Sequence, residues 1–333
     1  MGGDKGAQVT IPAALRALAE YPELHLILVG DQSQLSQALE GKTKAWDRSR
    51  LTIHHASQVV EMDEAPALAL RGKRDSSMRV ALNLVQDGTA QACISAGNTG
   101  ALMATARYVL KMLPGIDRPA ILFPMPSERG AVYMLDLGAN VDCQAEHLLQ
   151  FGVMGSILVA SITDNPHPKV GLLNIGSEAI KGNEAVKQAA ALFQQRSEIN
   201  YIGFVEGNDI YKGTTDVVVC DGFVGNVALK TSEGVARFIL KMVREEFTRN
   251  WFTKLIALIC KPVMQSVFNR ANVNKYNGAS LLGLRGVVIK SHGGANIEAF
   301  TTAIGRAVKE AEMNVPEKIR AAVAASLGDV ARV

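Results

Sequence analysis

Only four cysteines occur among the 333 residues, Cys93, Cys143, Cys220 and Cys260, and no pair stands at CxxC or metal-ligand spacing. This usage excludes a disulfide framework and a Cys/His metal cluster, and it fits a reduced, cytoplasmic setting. No metal and no cofactor are expected. No basic-then-apolar leader stands at the start of the chain, so secretion is not expected. The longest unbroken apolar run of the most basic region, Leu255 to Cys260, is far short of the ~20 residues that span a bilayer. No Gly-x-Gly-x-x-Gly follows the first β-type run with an acid about 20 residues on, which argues against a nicotinamide-dependent oxidoreductase.

What the chain does have is apolar residues, 48% of the total, enough to bury a sizeable core. The net charge of +3 is unevenly spread. Arg237 to Lys275 holds eight basic residues against Glu245 and Glu246, so that segment carries +6 and the remainder −3. A local basic patch implies an acidic partner or an anionic membrane surface rather than nucleic acid.

Short β-branched runs alternate with helix-type segments from end to end, the signature of βαβ units. The patterns predict strands over Leu24–Val29, Leu51–His54, Ala92–Ser95, Val132–Leu135, Lys169–Asn174, Tyr201–Val205, Val217–Cys220 and Val287–Lys290. They predict helices over Ser77–Gln86, Gly100–Lys111, Glu146–Ser161, Asn183–Gln195, Asn226–Phe247 and Ile297–Glu312. The expected fold class is α/β, a Rossmann-like α/β/α doubly wound and largely parallel sheet in a single domain over 1–333. An amphipathic helical insertion is expected over 245–275, where Trp251, Phe252, Leu255, Ile256, Ile259, Val263, Val267 and Phe268 recur near helical spacing amid Lys254, Lys261 and Arg270. Pro262 is expected to interrupt or kink it.

Five glycine turns each join a β-type run to a helix-type run. They lie at Ser95–Gly100, Asp136–Asn140, Asn174–Glu178, Cys220–Asn226 and Ser291–Asn296. A turn that opens a helix leaves backbone N–H groups free to hold an anion. In the first, Ser95, Gly97, Asn98, Thr99 and Gly100 read as a phosphate cradle; the plainer reading is a connection with Thr99 as helix cap. In the third, Glu178, Lys181 and Asn183 bring a carboxylate, an ammonium and an amide together, or simply form a surface ion pair. Asp221, Asn226 and Lys230 make a further set, with Asn226 expected to cap the next helix. His292, between a strand and two glycines, is a candidate general acid or a structural histidine.

These turns, in this order, resemble the bacterial acyl carrier protein:phosphate acyltransferase family. The resemblance covers nearly the whole chain and includes Met1-Gly-Gly-Asp4, Asp75–Leu82, Ser95–Met103, Gly115–Ala120, Leu135–Cys143, Leu172–Gly176, Lys181-Gly182, Cys220–Asn226, Tyr276–Ala279, Leu281–Leu284 and Ile289–Gly293. It implies a fold related to phosphate acetyltransferases, a homodimer, and attachment to the inner membrane face. The partners implied are acyl-acyl carrier protein, inorganic phosphate and a membrane-bound glycerol-3-phosphate acyltransferase. Family members have an apolar strand ahead of Met-Gly-Gly-Asp where this sequence starts. Either the start has been placed one internal methionine too late, or the strand is lacking and its neighbour's backbone edge is exposed, which bears on the geometry around Gly2, Gly3 and Asp4.

The implied reaction is attack of phosphate on a thioester carbonyl, giving acyl phosphate and a free phosphopantetheine thiol. Phosphate needs no strong base, so the protein must hold its charge and stabilise a tetrahedral oxyanion. Phosphate is expected at residues 95–100 with Lys181 nearby, and Asn140, Asn183, Asp221 and Asn226 orient the thioester or oxyanion. No cysteine sits in an activated setting, so direct transfer is expected. A non-catalytic membrane scaffold is the other alternative, with Trp251, Phe252, Leu255 and Ile256 as membrane contacts, but it leaves the glycine turns without a task.

Overall fold

The computed structural model describes residues 2–40, 48–270 and 273–326; Met1 and the side chains of Phe268 and Arg270 fall outside the described residues. The elements, in order, are α1 (Ala7–Glu20), β1 (Leu26–Gly30), α2 (Gln32–Leu39), β2 (Leu51–His55), α3 (Pro66–Gly72), α4 (Ser77–Gln86), β3 (Ala92–Ser95) and α5 (Thr99–Leu110). There follow β4 (Ala120–Ser127), β5 (Gly130–Leu135), α6 (Ala145–Ile162), β6 (Val170–Leu173), α7 (Glu184–Gln194), β7 (Tyr201–Val205), α8 (Asp209–Lys212) and β8 (Val217–Val219). The chain continues through α9 (Gly222–Thr248), α10 (Trp251–Arg270), β9 (Ala279–Leu282), β10 (Val287–Lys290), α11 (Ile297–Glu312) and α12 (Val315–Ser326).

Eight strands form one sheet in the order β3-β10-β9-β4-β5-β8-β6-β7, while β1 and β2 pair in parallel as a separate ribbon. β3 and β10 run parallel, as do β5, β8, β6 and β7. Between them, β9 is antiparallel to both β10 and β4, and β4 is antiparallel to β5. The second half of the sheet is thereby reversed relative to the first. Sheet twist of ~20–25° per step, summed over the five steps from β3 to β8, offsets more than half of that reversal.

Burial explains which residues make these strands. β8 is Val-Val-Val with no solvent exposure, and β6 puts Val170 and Leu172 into the core shared with α6 and α7 while Leu173 packs on the cluster of the other face. Such strands read as unbroken apolar runs because a parallel sheet is packed from both sides. β4 breaks the pattern: it contains Pro124 and Pro126, which argue against an interior strand. β9 pairs with β4 only from Ala120 to Leu122, so both prolines lie where β5 is the sole neighbour and a missing N–H is tolerated. Helix α6 is the one described helix long and apolar enough to cross a membrane, and it is largely buried in the core between the sheet, α7 and α12.

At the free side of β3, β1 is not hydrogen-bonded to it. Leu26 and Ile94 instead meet in one apolar cluster with Ala13, Ala17, Phe300 and Ile304 of α1 and α11.

The basic segment departs from expectation. The chain breaks at Arg249 and Asn250, where α9 ends and α10 begins, whereas Pro262 lies inside α10 without ending it. One proline removes a single intrahelical bond, and packing against α9 carries the rest. At 20 residues α10 is also about 30 Å long, so length does not keep it from spanning a bilayer; its lysines 254 and 261 do. The two helices expose a run of large apolar side chains, among them Phe238 (63%), Trp251 (78%), Leu258 (67%) and Ile259 (72%).

Two glycine substitutions test the packing. A methyl at Gly152 in α6 would lie 2.4 Å from Cζ of Phe193, a ring that is sealed in the core and stacked on Tyr201 at 5.0 Å. Gly152→Ala is expected to lower stability by about 1–3 kcal/mol in urea unfolding. Gly234, in α9, has nothing within 4 Å of its would-be methyl. Gly234→Ala is expected to raise stability by about 0.5–1 kcal/mol.

Candidate active site

The candidate residues assemble into three sets. The first is built where β3 and β10 end side by side. The Ser291 N–H donates to the Ser95 carbonyl at 2.9 Å, and the Asp4 N–H reaches across to the Gly293 carbonyl at 3.1 Å. Gly3, at φ +82°, is pressed against Ala96 and the Gly293 carbonyl, so that position needs glycine, whereas a methyl at Gly97 would meet the flexible end of Met78 at 3.1 Å. Ser95 Oγ accepts from the Gly97 N–H at 3.2 Å.

Asn98, not Thr99, caps α5: its Oδ1 accepts from the Ala101 N–H at 3.0 Å. Its Nδ2 donates to the carbonyls of Glu61, Met62 and Glu64 at 3.3, 3.0 and 2.8 Å. The Asn98 amide is thus committed to holding the turn, which corrects its expected role as a side-chain donor to phosphate. What faces outward is the exposed Thr99 and the first backbone N–H groups of α5, at the positive end of the helix dipole.

Two residues unremarked in the sequence complete this set. Lys290, the last residue of β10, is buried; its Nζ donates to the Ser291 carbonyl at 2.5 Å. Burial lowers its pKa to about 8, with the Asp4 carboxylate partly offsetting the shift. Asn277 fastens the loop from below. Its Nδ2 donates to Ser291 Oγ and the Ala299 carbonyl, both at 2.8 Å, and its Oδ1 accepts from the His292 N–H. A lysine ending an apolar strand was the available signal for Lys290; nothing local marks Asn277. His292 is exposed, and its Nδ1 accepts from the Gly294 N–H at 3.0 Å, which leaves Nε2 as the donor of the neutral ring.

The second set surrounds Asp136. This fully buried carboxylate accepts from the N–H groups of Ile121, Ala139 and Asn140 and from Asn140 Nδ2. Burial raises its pKa while these four donors pull it down. Asn140 also donates to the Pro119 carbonyl at 2.7 Å, and its own carbonyl accepts from the Gly222 N–H at 2.7 Å. Its amide is therefore spent within the fold. A methyl on Gly225 would stand 1.9 Å from the Asp136 carbonyl oxygen, so the start of α9 can seat against this turn only with glycine there. Asp221 caps α9 by accepting from the Val224 N–H, which corrects the expectation that Asn226 does so. Asn226, inside the first turns of α9, is exposed and lies over Gly138. Lys230 meets Glu233 at 3.1 Å on the exposed face of α9.

The third set is the loop after β6. Lys181 and Glu178 form an ion pair at 2.8 Å with both side chains about half exposed, and Lys181 lies over Gly176. The pair raises the lysine pKa and lowers that of the glutamate. Asn183 caps α7 through the Val186 N–H at 2.9 Å. The hydrogen bonds within this loop are local, and none ties Lys181 to the turn at 95–100 as the sequence reading expected. β6 lies six positions along the sheet from β3.

Three of the four thiols are held protonated. Burial pushes Cys93 and Cys143 up to about 12, Cys143 further raised by Asp136 and Asp221, and Cys220 is driven up in the same way. Among the described residues no three His, Cys, Asp or Glu side chains are grouped to hold a metal ion.

Residues 1–318 match the model of a family described as fatty acid synthesis protein. A phosphate acyltransferase of Halorhodospira halophila is 57% identical over 98% of this chain and 95% of its own. One of Nitrosococcus oceani is 59% identical over 96% and 94%. Among solved structures, a phosphotransacetylase from Streptococcus pyogenes shares the fold with a TM-score of 0.63 at 18% identity, over 92% of this chain and 91% of that one. The EutD phosphotransacetylase of Staphylococcus aureus does so with a TM-score of 0.60 at 15% identity, over 91% and 90%. Full-length identity at this level, on a Rossmann-like α/β scaffold with helix-opening glycine turns, means that the chain belongs to the fatty acid synthesis protein family, that of the bacterial phosphate acyltransferases.

Proposed function

We propose that this chain is an acyltransferase that moves a fatty acyl group from acyl-acyl carrier protein to inorganic phosphate, giving acyl phosphate for phospholipid synthesis. The carrying observation is identity of 56–59% over nearly the whole chain to proteins named phosphate acyltransferase. A nicotinamide oxidoreductase is not favoured.

Phosphate sits at the N-terminus of α5, held by the Thr99 and Gly100 N–H groups and Ser95 Oγ, with the Lys290 ammonium supplying charge from beneath. A phosphate oxygen attacks the thioester carbon, the C–O bond forms, and the carbonyl oxygen becomes an oxyanion. Lys181 and Asn226 serve the acyl side, holding the carrier-borne acyl group rather than the oxyanion, since β6 lies six positions along the sheet from β3. Collapse breaks the C–S bond, with His292 Nε2–H hydrogen-bonded to the departing sulfur, and the thiolate takes the proton that hydrogenphosphate gives up as it becomes the acyl phosphate dianion. The raised pKa values of Cys93, Cys143 and Cys220 support direct transfer, since these three thiols are held protonated.

Lys290→Met and Lys181→Ala are each expected to lower turnover by about 10²–10³ with melting temperature little changed, as for removal of one preorganised donor. Asn98→Ala should instead lower both turnover and melting temperature, because its amide ties the turn to residues 61–64. Normal turnover in Lys181→Ala would reduce that residue to a surface ion pair. The Lys290 charge is present below its pKa of about 8 and lost above it. Phosphate affinity should therefore weaken as pH rises through 8, and this limb should vanish in Lys290→Met.

The α9–α10 hairpin provides the proposed homodimer with two copies of a basic, apolar surface for the anionic membrane face, where a glycerol-3-phosphate acyltransferase takes up the product. Each Lys or Arg near such a surface contributes about 1 kcal/mol. Replacing Trp251, Leu255 and Ile256 with polar residues is expected to abolish sedimentation with anionic liposomes while leaving an active dimer. A monomeric variant would make the segment a dimer contact instead.

A further inference from the structure

Away from the glycine turns, α1, α11, the middle of β5 and the end of α6 enclose a cleft of about 380 Å³. Arg306 of α11 forms part of its wall. The guanidinium is buried, and its Nε and Nη1 are sealed from solvent and meet no acceptor. Such unmet donors are destabilising, most of all on a charged group, so a purely structural arginine is normally paired. Two nearby carboxylates are engaged elsewhere, while Glu298 also lines the cleft. Glu310, one helical turn on, is hydrogen-bonded to Ser280, and Glu20 is held by Arg16 at 2.8 Å. Lys309 and the Tyr133 side chain line the same cleft. Gly305 is shaped to this arrangement: its would-be methyl would fall 2.4 Å from the Tyr21 hydroxyl, which occupies the notch beside Arg306.

We propose that this cleft is a second anion site, taking one small oxyanion, a carboxylate or a phosphoryl group, on the Arg306 guanidinium with Lys309 at the rim and the Tyr133 hydroxyl as a further donor. Burial supports the reading. It lowers the Arg306 pKa against only partial compensation from Glu310 and Tyr133, so the site gains most from an added negative charge. The planar fork of arginine suits either oxyanion.

The test is ¹⁵N–¹H spectroscopy of the arginine Nε–H groups in the full chain, titrated with sodium sulfate or sodium acetate at constant ionic strength. The Arg306 signal is identified by its loss in Arg306→Lys. A saturable shift of that signal is expected, with sulfate if the ligand class is phosphoryl and with acetate if it is carboxylate. The shift should persist in Lys181→Ala. Lys309→Met, on the exposed rim, should weaken the binding about threefold, which keeps the test valid if Arg306→Lys fails to fold. No shift with either anion overturns the proposal, as when a second copy of the chain supplies the missing carboxylate. Loss of the shift in Lys181→Ala also overturns it, by tracing the effect to the catalytic turns.

Discussion

The carboxylate of Asp136 has no exposure, and four donors converge on it from β4, from its own turn and from Asn140. Removing it would orphan those donors in the core, where an unmet N–H costs more than the bond contributes. Through Asn140 the same charge reaches the Gly222 N–H, and the Asp136 carbonyl fills the space that Gly225 leaves open. The start of α9, the turn after β5 and Ile121 near the start of the antiparallel strand β4 are thus positioned by one group. Its negative charge also keeps Cys143 and Cys220 as thiols.

The asparagines beside the glycines serve mainly to build turns. Asn98, Asn183 and Asn296 accept the N–H three residues on, capping α5, α7 and α11, and Asp221 does the same for α9. Once a cap is in place, its side chain has little left to offer a ligand. The anion-binding capacity then rests on what capping leaves over: the first N–H groups of each helix and the cations nearby. Lys290 differs from Lys181 in this respect. The former is buried at a strand end with its charge weakly compensated, whereas the latter is exposed and already paired.

Sheet and hairpin divide the apolar residues between them. In α6 they face inward on nearly every side, and in α9 and α10 they face out, so similar hydropathy has opposite consequences. An exposed apolar face of this extent marks an interaction surface.

Local chemistry decided much of the result in advance. Residues 92–95, 201–205 and 287–290 could be read as strands and 77–86 and 297–312 as helices, because period and caps are written into neighbouring residues. The glycine turns were legible for the same reason, as was the family, whose motifs are contiguous. What only the tertiary structure decided depends on residues far apart in the chain. Strand β4 was hidden by two prolines that are harmless only because β9 is short, and the reversal of half the sheet follows from three antiparallel pairings. The commitment of Asn98 to carbonyls more than thirty residues away, and the burial of Lys290 and Arg306, likewise come from packing partners that no local pattern names.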